Sequence, residues 1–350
     1  GHMAAVAWAV LASIAWRGVS PGSRTVNRCL IRQARLRNRR GFACDLVLTR
    51  SRKSGWHELT DDEARRLALQ RLVDAGEEQA EANIISREIV TFARKNCRPG
   101  ENWGDRLERA LKERIQHQTP LQYIIGEWDF HNLKGIRVRK PSLCPRPETE
   151  ELVSLVLDSV SQFPKRPLSV LEIGSGTGAI ALALADSWRK QARGVHITAI
   201  DVAKTACELT LENAEMFGLS EHIEVIHASL DEFVALRNKT HGTFDLIVSN
   251  PPYIPSRLLK SLDPVVREHE DPRALDGGSD GLDLIRQIVT YAPDMLKPTG
   301  EVWMEVDSSH PVILSESFAQ GKLARMEFVS YHKDFNGHDR FVRLRRRESP

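Results

Sequence analysis

Asn250-Pro251-Pro252-Tyr253 are the residues of this chain best suited to do chemistry. They follow Phe244-Asp245-Leu246-Ile247-Val248-Ser249, an apolar run of strand length. The motif is therefore expected at a strand's carboxyl end, where open α/β sheets bind ligands. Proline has no N–H, fixes its own φ and drives the preceding residue toward extended geometry. An Asn before two prolines thus predicts a stiff turn whose carbonyl oxygens are free to accept hydrogen bonds. The Asn250 side-chain oxygen and the Pro251 carbonyl could hold a planar –NH2 by both hydrogens, with the flat face of Tyr253 against it. Such a site suits reaction at an amide or amino nitrogen. A turn-capping Asn is the plainer alternative.

A second constellation lies upstream. The apolar run Ser169-Val170-Leu171-Glu172-Ile173 leads into Gly174-Ser175-Gly176-Thr177-Gly178, and then into the helix-forming stretch from Ala179 to Ala185. Strand, glycine turn and helix make a nucleotide cradle, because glycine lets the backbone approach a ligand closely. A further strand, Val195 to Ile200, ends at Asp201, an acid able to accept from both hydroxyls of a ribose. Gly174-x-Gly176-x-x-Ala179 also fits the dinucleotide fingerprint, so a nicotinamide enzyme stays open on this cradle alone. An adenosyl ligand on one strand tip and an –NH2 clamp on another together imply methyl transfer from S-adenosylmethionine.

With these segments in order, the chain resembles the HemK/PrmC protein-glutamine methyltransferases, which modify the Gln of the Gly-Gly-Gln loop in peptide release factors. Thr119-Pro120-Leu121-Gln122-Tyr123-Ile124-Ile125-Gly126-Glu127, Pro145-Arg146-Pro147-Glu148-Thr149-Glu150, the glycine loop, Asn250 to Tyr253, and Glu270 to Gly278 carry the resemblance. It runs from about Leu67 to the C-terminus. It implies S-adenosylmethionine as cofactor, a release factor as partner, and Asn250, Pro251, Pro252 and Tyr253 as catalytic and substrate-binding residues. Gly174, Ser175, Gly176, Thr177, Gly178, Asp201 and Asn250 are implied on the cofactor side, and Phe130 and Arg146 beside the substrate. After the strand Ile223 to His227 the family usually carries an acid. This chain has Ala228-Ser229-Leu230 there, and Leu230 is taken as the adenine-side contact. Two readings stay beside this one: N6-adenine methylation of DNA or RNA, served by the same clamp on an exocyclic amine, and a non-catalytic binding module on the same fold.

Composition narrows the choice. A chain of 350 residues with 41% hydrophobic residues supports more than one domain and a sizeable core, and no apolar run reaches spanning length. Five cysteines without a Cys-x-x-Cys pair suggest neither a disulfide framework nor zinc, so reduced thiols and no metal are expected. Glu268-His269-Glu270-Asp271 matches no ligand spacing and reads as a solvated loop. Gly1-His2 ahead of Met3 looks like a cloning scar. From Met3 to Cys44 there is no acid and no lysine, while arginine recurs eight times between Arg17 and Arg40. That is transit-peptide composition and predicts a mitochondrial matrix protein; the alternatives are a secretory apolar region over Ala4 to Trp16, which lacks a positively charged stretch ahead of it, and a nucleic-acid-binding arm. Without those arginines the formal charge of +2 becomes −6, which argues against a large phosphate-binding surface and a stable nucleic-acid partner.

The expected layout is residues 1–55 as scar and transit segment, 56–118 as a helical substrate-recognition domain, 119–145 as a β-hairpin linker and 146–350 as the methyltransferase domain. Helical apolar spacing through Leu67, Leu72, Ile85, Ile89, Leu107, Leu111 and Ile115 supports the helices. Alternation of strands and helices from Arg146 onward supports a Rossmann-like α/β class I methyltransferase sheet of seven strands, one reversed near the edge.

Overall fold

The computed structural model describes residues 55–95, 97, 100–161, 163, 166–236, 243–321 and 324–347. The segment read as a transit peptide lies outside them. The chain divides into two compact units. One holds the described residues up to Ile125 together with Asp263–Val265; the other holds Gly126–Leu262 and the chain from Val266 on.

The first unit is built from α1 (Asp61–Asp74), α2 (Gln79–Lys95), α3 (Trp103–His117) and the short α4 (Leu121–Ile125). A capping box starts α1: the Thr60 hydroxyl accepts from the Glu63 N–H at 3.3 Å, and the Glu63 carboxylate accepts from the Thr60 N–H at 2.9 Å. Such a cap is worth about 1 kcal/mol. Leu67, Leu72, Ile85, Ile89, Leu107 and Leu111 meet in its core. On the last turns of α3 it is Arg114, 4% exposed, and not Ile115, that goes deepest. A buried guanidinium needs carboxylate partners, and Arg114 has two, Glu77 at 2.7 Å and Glu81 at 3.0 Å.

The second unit opens with an antiparallel hairpin, β1 (Glu127–Phe130) and β2 (Leu133–Arg137). Then follow α5 (Pro147–Val160), β3 (Leu168–Ile173), α6 (Ala179–Lys190), β4 (Val195–Asp201), α7 (Lys204–Met216), β5 (Ile223–His227), α8 (Leu230–Leu236) and β6 (Phe244–Ser249). After the proline turn come the short α9 (Pro264–Arg267), whose first two residues belong to the first unit, and α10 (Pro272–Leu275), then α11 (Asp283–Met295), β7 (Leu296–Glu305), α12 (His310–Ala319), β8 (Met326–Lys333) and β9 (Asp339–Arg346).

Seven strands form one sheet in the order β5-β4-β3-β6-β7-β9-β8. Every pairing is parallel except those of β9, which runs antiparallel to β7 and to β8. This is the class I methyltransferase sheet expected from the sequence. Its central strands are apolar on both faces because helices cover both. Val170, Leu246 and Val248 join α5 and α6 in one core, while Leu171, Ile173 and Ile247 join α8 and α11 in the other. The chain leaves β3 toward β4 and β5 on one side and returns to β6 and β7 on the other. The junction of β3 and β6 is therefore the topological switch point, the place beyond the strand ends where open α/β sheets bind ligands.

Candidate active site

Ile173 and Ser249 are paired at the carboxyl ends of β3 and β6, and the Ser249 hydroxyl donates to the Ile173 carbonyl at 2.7 Å. The glycine turn and the Asn-Pro-Pro-Tyr turn therefore leave the sheet side by side. Gly174 and Gly176 adopt φ of 78° and 55°, in the left-handed region that glycine enters without steric cost. A Cβ on Gly176 would meet nothing within 4 Å, and one on Gly174 would meet the Asn250 carbonyl oxygen at 3.9 Å. The backbone at these two glycines is open enough for a ligand to approach. Gly178 does a different job: a Cβ there would lie 2.9 Å from Thr210, so it lets α6 pack closely. Ser175 and Thr177 are buried. The Ser175 hydroxyl accepts from Thr210 at 3.2 Å, and the Thr177 carbonyl accepts from Asn213 at 2.9 Å.

Asp201, at the tip of β4, accepts from the Gly176 N–H at 2.9 Å and from the Ala203 N–H at 2.8 Å. Burial raises its pKa, and those two N–H groups oppose the rise. A carboxylate has about four acceptor sites, so it can brace the glycine loop and still accept from a diol. Ser229 caps α8 in reciprocal hydrogen bonds with Glu232, at 3.2 and 2.8 Å. Leu230, 3% exposed, points into the core with Phe233 and Phe244.

The proline turn is held by the segment Glu270 to Gly278. Ile254 pairs with Asp276 in a short parallel bridge, and the Ile254 N–H donates to the Leu275 carbonyl at 3.0 Å. A Cβ on Gly277 would come within 2.7 Å of the Pro252 carbonyl, and one on Gly281 would collide with the Tyr253 carbonyl. Two carbonyls of the turn thus face close-packed glycines. The expectation that its carbonyls stand free is corrected to that extent, because the glycines exist to let that backbone in. Pro251 is buried.

The side chains of the turn form a chain of hydrogen bonds that the sequence reading did not anticipate. Asn250 Nδ2 donates to Thr149 Oγ1 at 3.0 Å. The Thr149 hydroxyl donates to Glu305 Oε2 at 2.7 Å, and the Tyr253 hydroxyl donates to Glu305 Oε1 at 3.0 Å. Burial, with Glu305 beside it, raises the Tyr253 phenol, which stays a neutral donor. The Arg340 guanidinium lies 5.9 Å from the Tyr253 ring centre. Burial also lifts Glu148 to about 7, helped by Glu305 and opposed by Arg340 and Arg146. Thr149 stood in a quoted motif without a role. Glu305 had only one signal, an acid ending the apolar run Val302-Trp303-Met304.

Arg146 precedes α5 and pairs with both oxygens of Glu270, at 2.8 and 2.6 Å. The Glu268 to Asp271 stretch is accordingly not simply a solvated loop: Glu270 is 3% exposed because Arg146 neutralises it. Phe130, 1% exposed, packs in the core cluster that contains Leu133, Ile136 and Val153. Among the described residues no group of three or more His, Cys, Asp or Glu is placed to hold a metal, and no helix is long and apolar enough to cross a membrane. Among the described residues, Cys97, Cys144 and Cys207 are in no disulfide.

The residues present fit an adenosyl donor: open glycine backbone at Gly174 and Gly176, a carboxylate with acceptor capacity on the next strand, and the proline turn on the other side. The family model "Methyltransferase small domain" matches residues 154–263. The "MTRF1L release factor glutamine methyltransferase" of Homo sapiens is 41% identical over 244 residues, 68% of this chain and 70% of the relative. The "Release factor glutamine methyltransferase" of Thermosynechococcus vestitus is 36% identical, over 67% of this chain and 77% of its own length. That of Agrobacterium fabrum is 37% identical, over 76% and 88%. A glycine turn and an Asn-Pro-Pro-Tyr turn side by side at the switch point, and this identity over most of each relative, lead to one assignment: the chain belongs to the release factor glutamine methyltransferases.

Proposed function

We propose that this enzyme transfers the methyl group of S-adenosylmethionine to the side-chain amide nitrogen (N5) of the glutamine in the Gly-Gly-Gln loop of a peptide chain release factor. S-adenosylmethionine is its cofactor and supplies an electrophilic methyl on a sulfonium sulfur. The reading is carried by the adjacency of the two strand tips, paired at Ile173 and Ser249. Gly174 and Gly176 line the cofactor, Ser175, Thr177 and Gly178 shape the loop from behind, Asp201 accepts from the ribose hydroxyls, and Leu230 supports the adenine side only from within the core. Asn250 Oδ1 and the Pro251 carbonyl each accept one N–H of the substrate glutamine. Tyr253 lies along the amide plane and Pro252 stiffens the turn. Arg146, through Glu270, and Phe130, from the core, support the substrate side.

An amide nitrogen is a poor nucleophile because its lone pair is shared with the carbonyl. As its bond to the methyl carbon forms, the carbon–sulfur bond breaks and sulfur keeps the electron pair. Positive charge grows on nitrogen, and the two acceptor oxygens bind it more tightly than the ground state. The nitrogen then sheds a proton to water, so no dedicated base is needed. Orientation of this kind contributes roughly 7–11 kcal/mol in favourable cases.

The helical unit, 56–118 in the sequence reading, is proposed to grip the release factor. It carries a recess of about 1020 Å³ lined by Phe92, Arg106, Glu113 and Tyr123 among others. The arginine-rich, acid-free stretch 3–44 supports a mitochondrial matrix address. The test of the activity is transfer of labelled methyl from S-adenosylmethionine to a release factor, beside a Gln→Ala factor and beside DNA and RNA. Mass spectrometry should find one added methyl on the tripeptide glutamine. Label on nucleic acid and none on protein would favour adenine methylation instead.

A further inference from the structure

A carboxamide has two nearly isosteric ends, and only one can serve the clamp. The substrate –NH2 offers hydrogens, so Asn250 must present its oxygen; presenting its own –NH2 would set donor against donor. Nothing in Asn250 itself decides this.

The decision lies one and two hydrogen bonds away. Glu305 ends β7 with 1% exposure, and each of its oxygens takes a hydroxyl: Tyr253 at 3.0 Å on Oε1 and Thr149 at 2.7 Å on Oε2. Burial raises the Glu305 carboxyl, and Arg340, the Thr149 and Tyr253 hydroxyls and Arg146 oppose the rise by favouring its charged form. In that charged form it only accepts, so the single Thr149 hydroxyl hydrogen is committed to it. Thr149 Oγ1 then has only lone pairs to offer its other neighbour, the Asn250 carboxamide at 3.0 Å. If Asn250 turned over, Oδ1 would face Oγ1 with no hydrogen between them. Thr149 is 5% exposed, leaving little room for a water to repair that, and an unmade buried hydrogen bond costs more than a made one gains. Nδ2 is therefore fixed toward Thr149 and Oδ1 toward the opposite side. The same carboxylate also anchors the Tyr253 ring.

The helix start puts Thr149 in place. Pro147 occupies the first turn of α5, where its fixed φ suits a helix and its missing N–H is no loss. The Thr149 N–H donates to the Arg146 carbonyl at 3.1 Å.

We infer that Thr149 and Glu305 are positioning residues that set the polarity of the amide clamp, turning the Asn250 oxygen to the substrate glutamine. The inference rests on the clamp reading of Asn250. Glu305 acts through Thr149, and Thr149 acts through Asn250. Such a role affects turnover through alignment of the transition state, and leaves cofactor affinity alone.

The test is a double-mutant cycle on the full chain, with kcat and KM measured on a release factor and S-adenosylmethionine affinity measured separately. Thr149→Val keeps the shape and removes the hydroxyl. It is expected to lower kcat at least about tenfold, the scale of one hydrogen bond, with cofactor affinity unchanged. Thr149→Ser should recover most of that loss. In an Asn250→Ala background, Thr149→Val should cost less than about twofold more. Equal losses in both backgrounds, or a Ser variant as poor as the Val variant, would overturn the relay while leaving the clamp standing. Near-normal turnover in Asn250→Ala alone would end the clamp, and the relay with it. Should Thr149→Val not fold, Glu305→Gln takes its place in the cycle, since its amide destroys the acceptor-only edge.

Discussion

Asn250 combines two backbone-free hydrogen-bonding ends with a position one residue beyond a buried strand. One hydrogen of its nitrogen is committed to Thr149 at 3.0 Å, and in the proposed clamp its oxygen serves the bound amide. Asn250→Ala is therefore expected to leave S-adenosylmethionine binding largely intact and to cut turnover at least about 100-fold, the scale of one oriented transition-state contact. Single-turnover methyl transfer at saturating cofactor reads this directly. A loss confined to KM would show that Asn250 binds the glutamine equally well before and during reaction. Tyr253 is tied by its hydroxyl to Glu305, so its ring presents a fixed face.

At the scale of elements, α2 and α3 are joined through an unusual trio. Arg114 on α3 faces Glu77, just ahead of α2, and Glu81 on its first turn. Arg114 is already neutralised by Glu77, so Glu81 is a second carboxylate in a poorly solvated place. Burial pushes its pKa up to about 7, Arg114 opposes the rise, and Glu77 and Asp263 add to it. The folded state therefore holds a proton on Glu81 where the unfolded chain, near 4.5, does not. That stability is fully present below pH 4.5 and is lost as pH rises through about 7. At 1.36 kcal/mol per unit the swing is about 3 kcal/mol at most. Glu81→Gln cannot titrate, so the difference in unfolding free energy between wild type and this variant should fall with pH across that window. A pH-independent difference would mean that Glu81 is charged throughout.

For the whole molecule, the sheet order does the main functional work. Parallel β3 and β6 lie next to each other while their connections leave in opposite directions, so two turns from distant parts of the sequence share one crevice. The described residues account for this without the first 44. Removing residues 1–44 is expected to leave methyl transfer in vitro unchanged, and fusing them to a reporter should direct it into mitochondria with loss of the segment. A reporter that stays in the cytosol would overturn the proposed address, and an enzyme inactivated by the truncation would give the segment a part in the fold.

Some of this was written locally in the sequence. Thr60 to Glu63 specified a helix start, glycines at 174, 176 and 178 specified a turn, and the Asn250 to Tyr253 motif specified a bend at a strand's end, because each depends on neighbours a few residues away. The apolar strand ends even gave the level at which both turns leave the sheet. What local sequence could not contain is the set of contacts between remote segments. Thr149 and Glu305 are 156 positions apart, Arg146 and Glu270 are 124 apart, and Arg114 took the buried place that helical spacing gave to Ile115. Periodicity reads which face is apolar, but a buried charge or hydroxyl is allowed only where folding brings its partner. That is why the two turns at the strand ends were legible in the chain, and the buried polar partners packed behind them were decided by the tertiary structure.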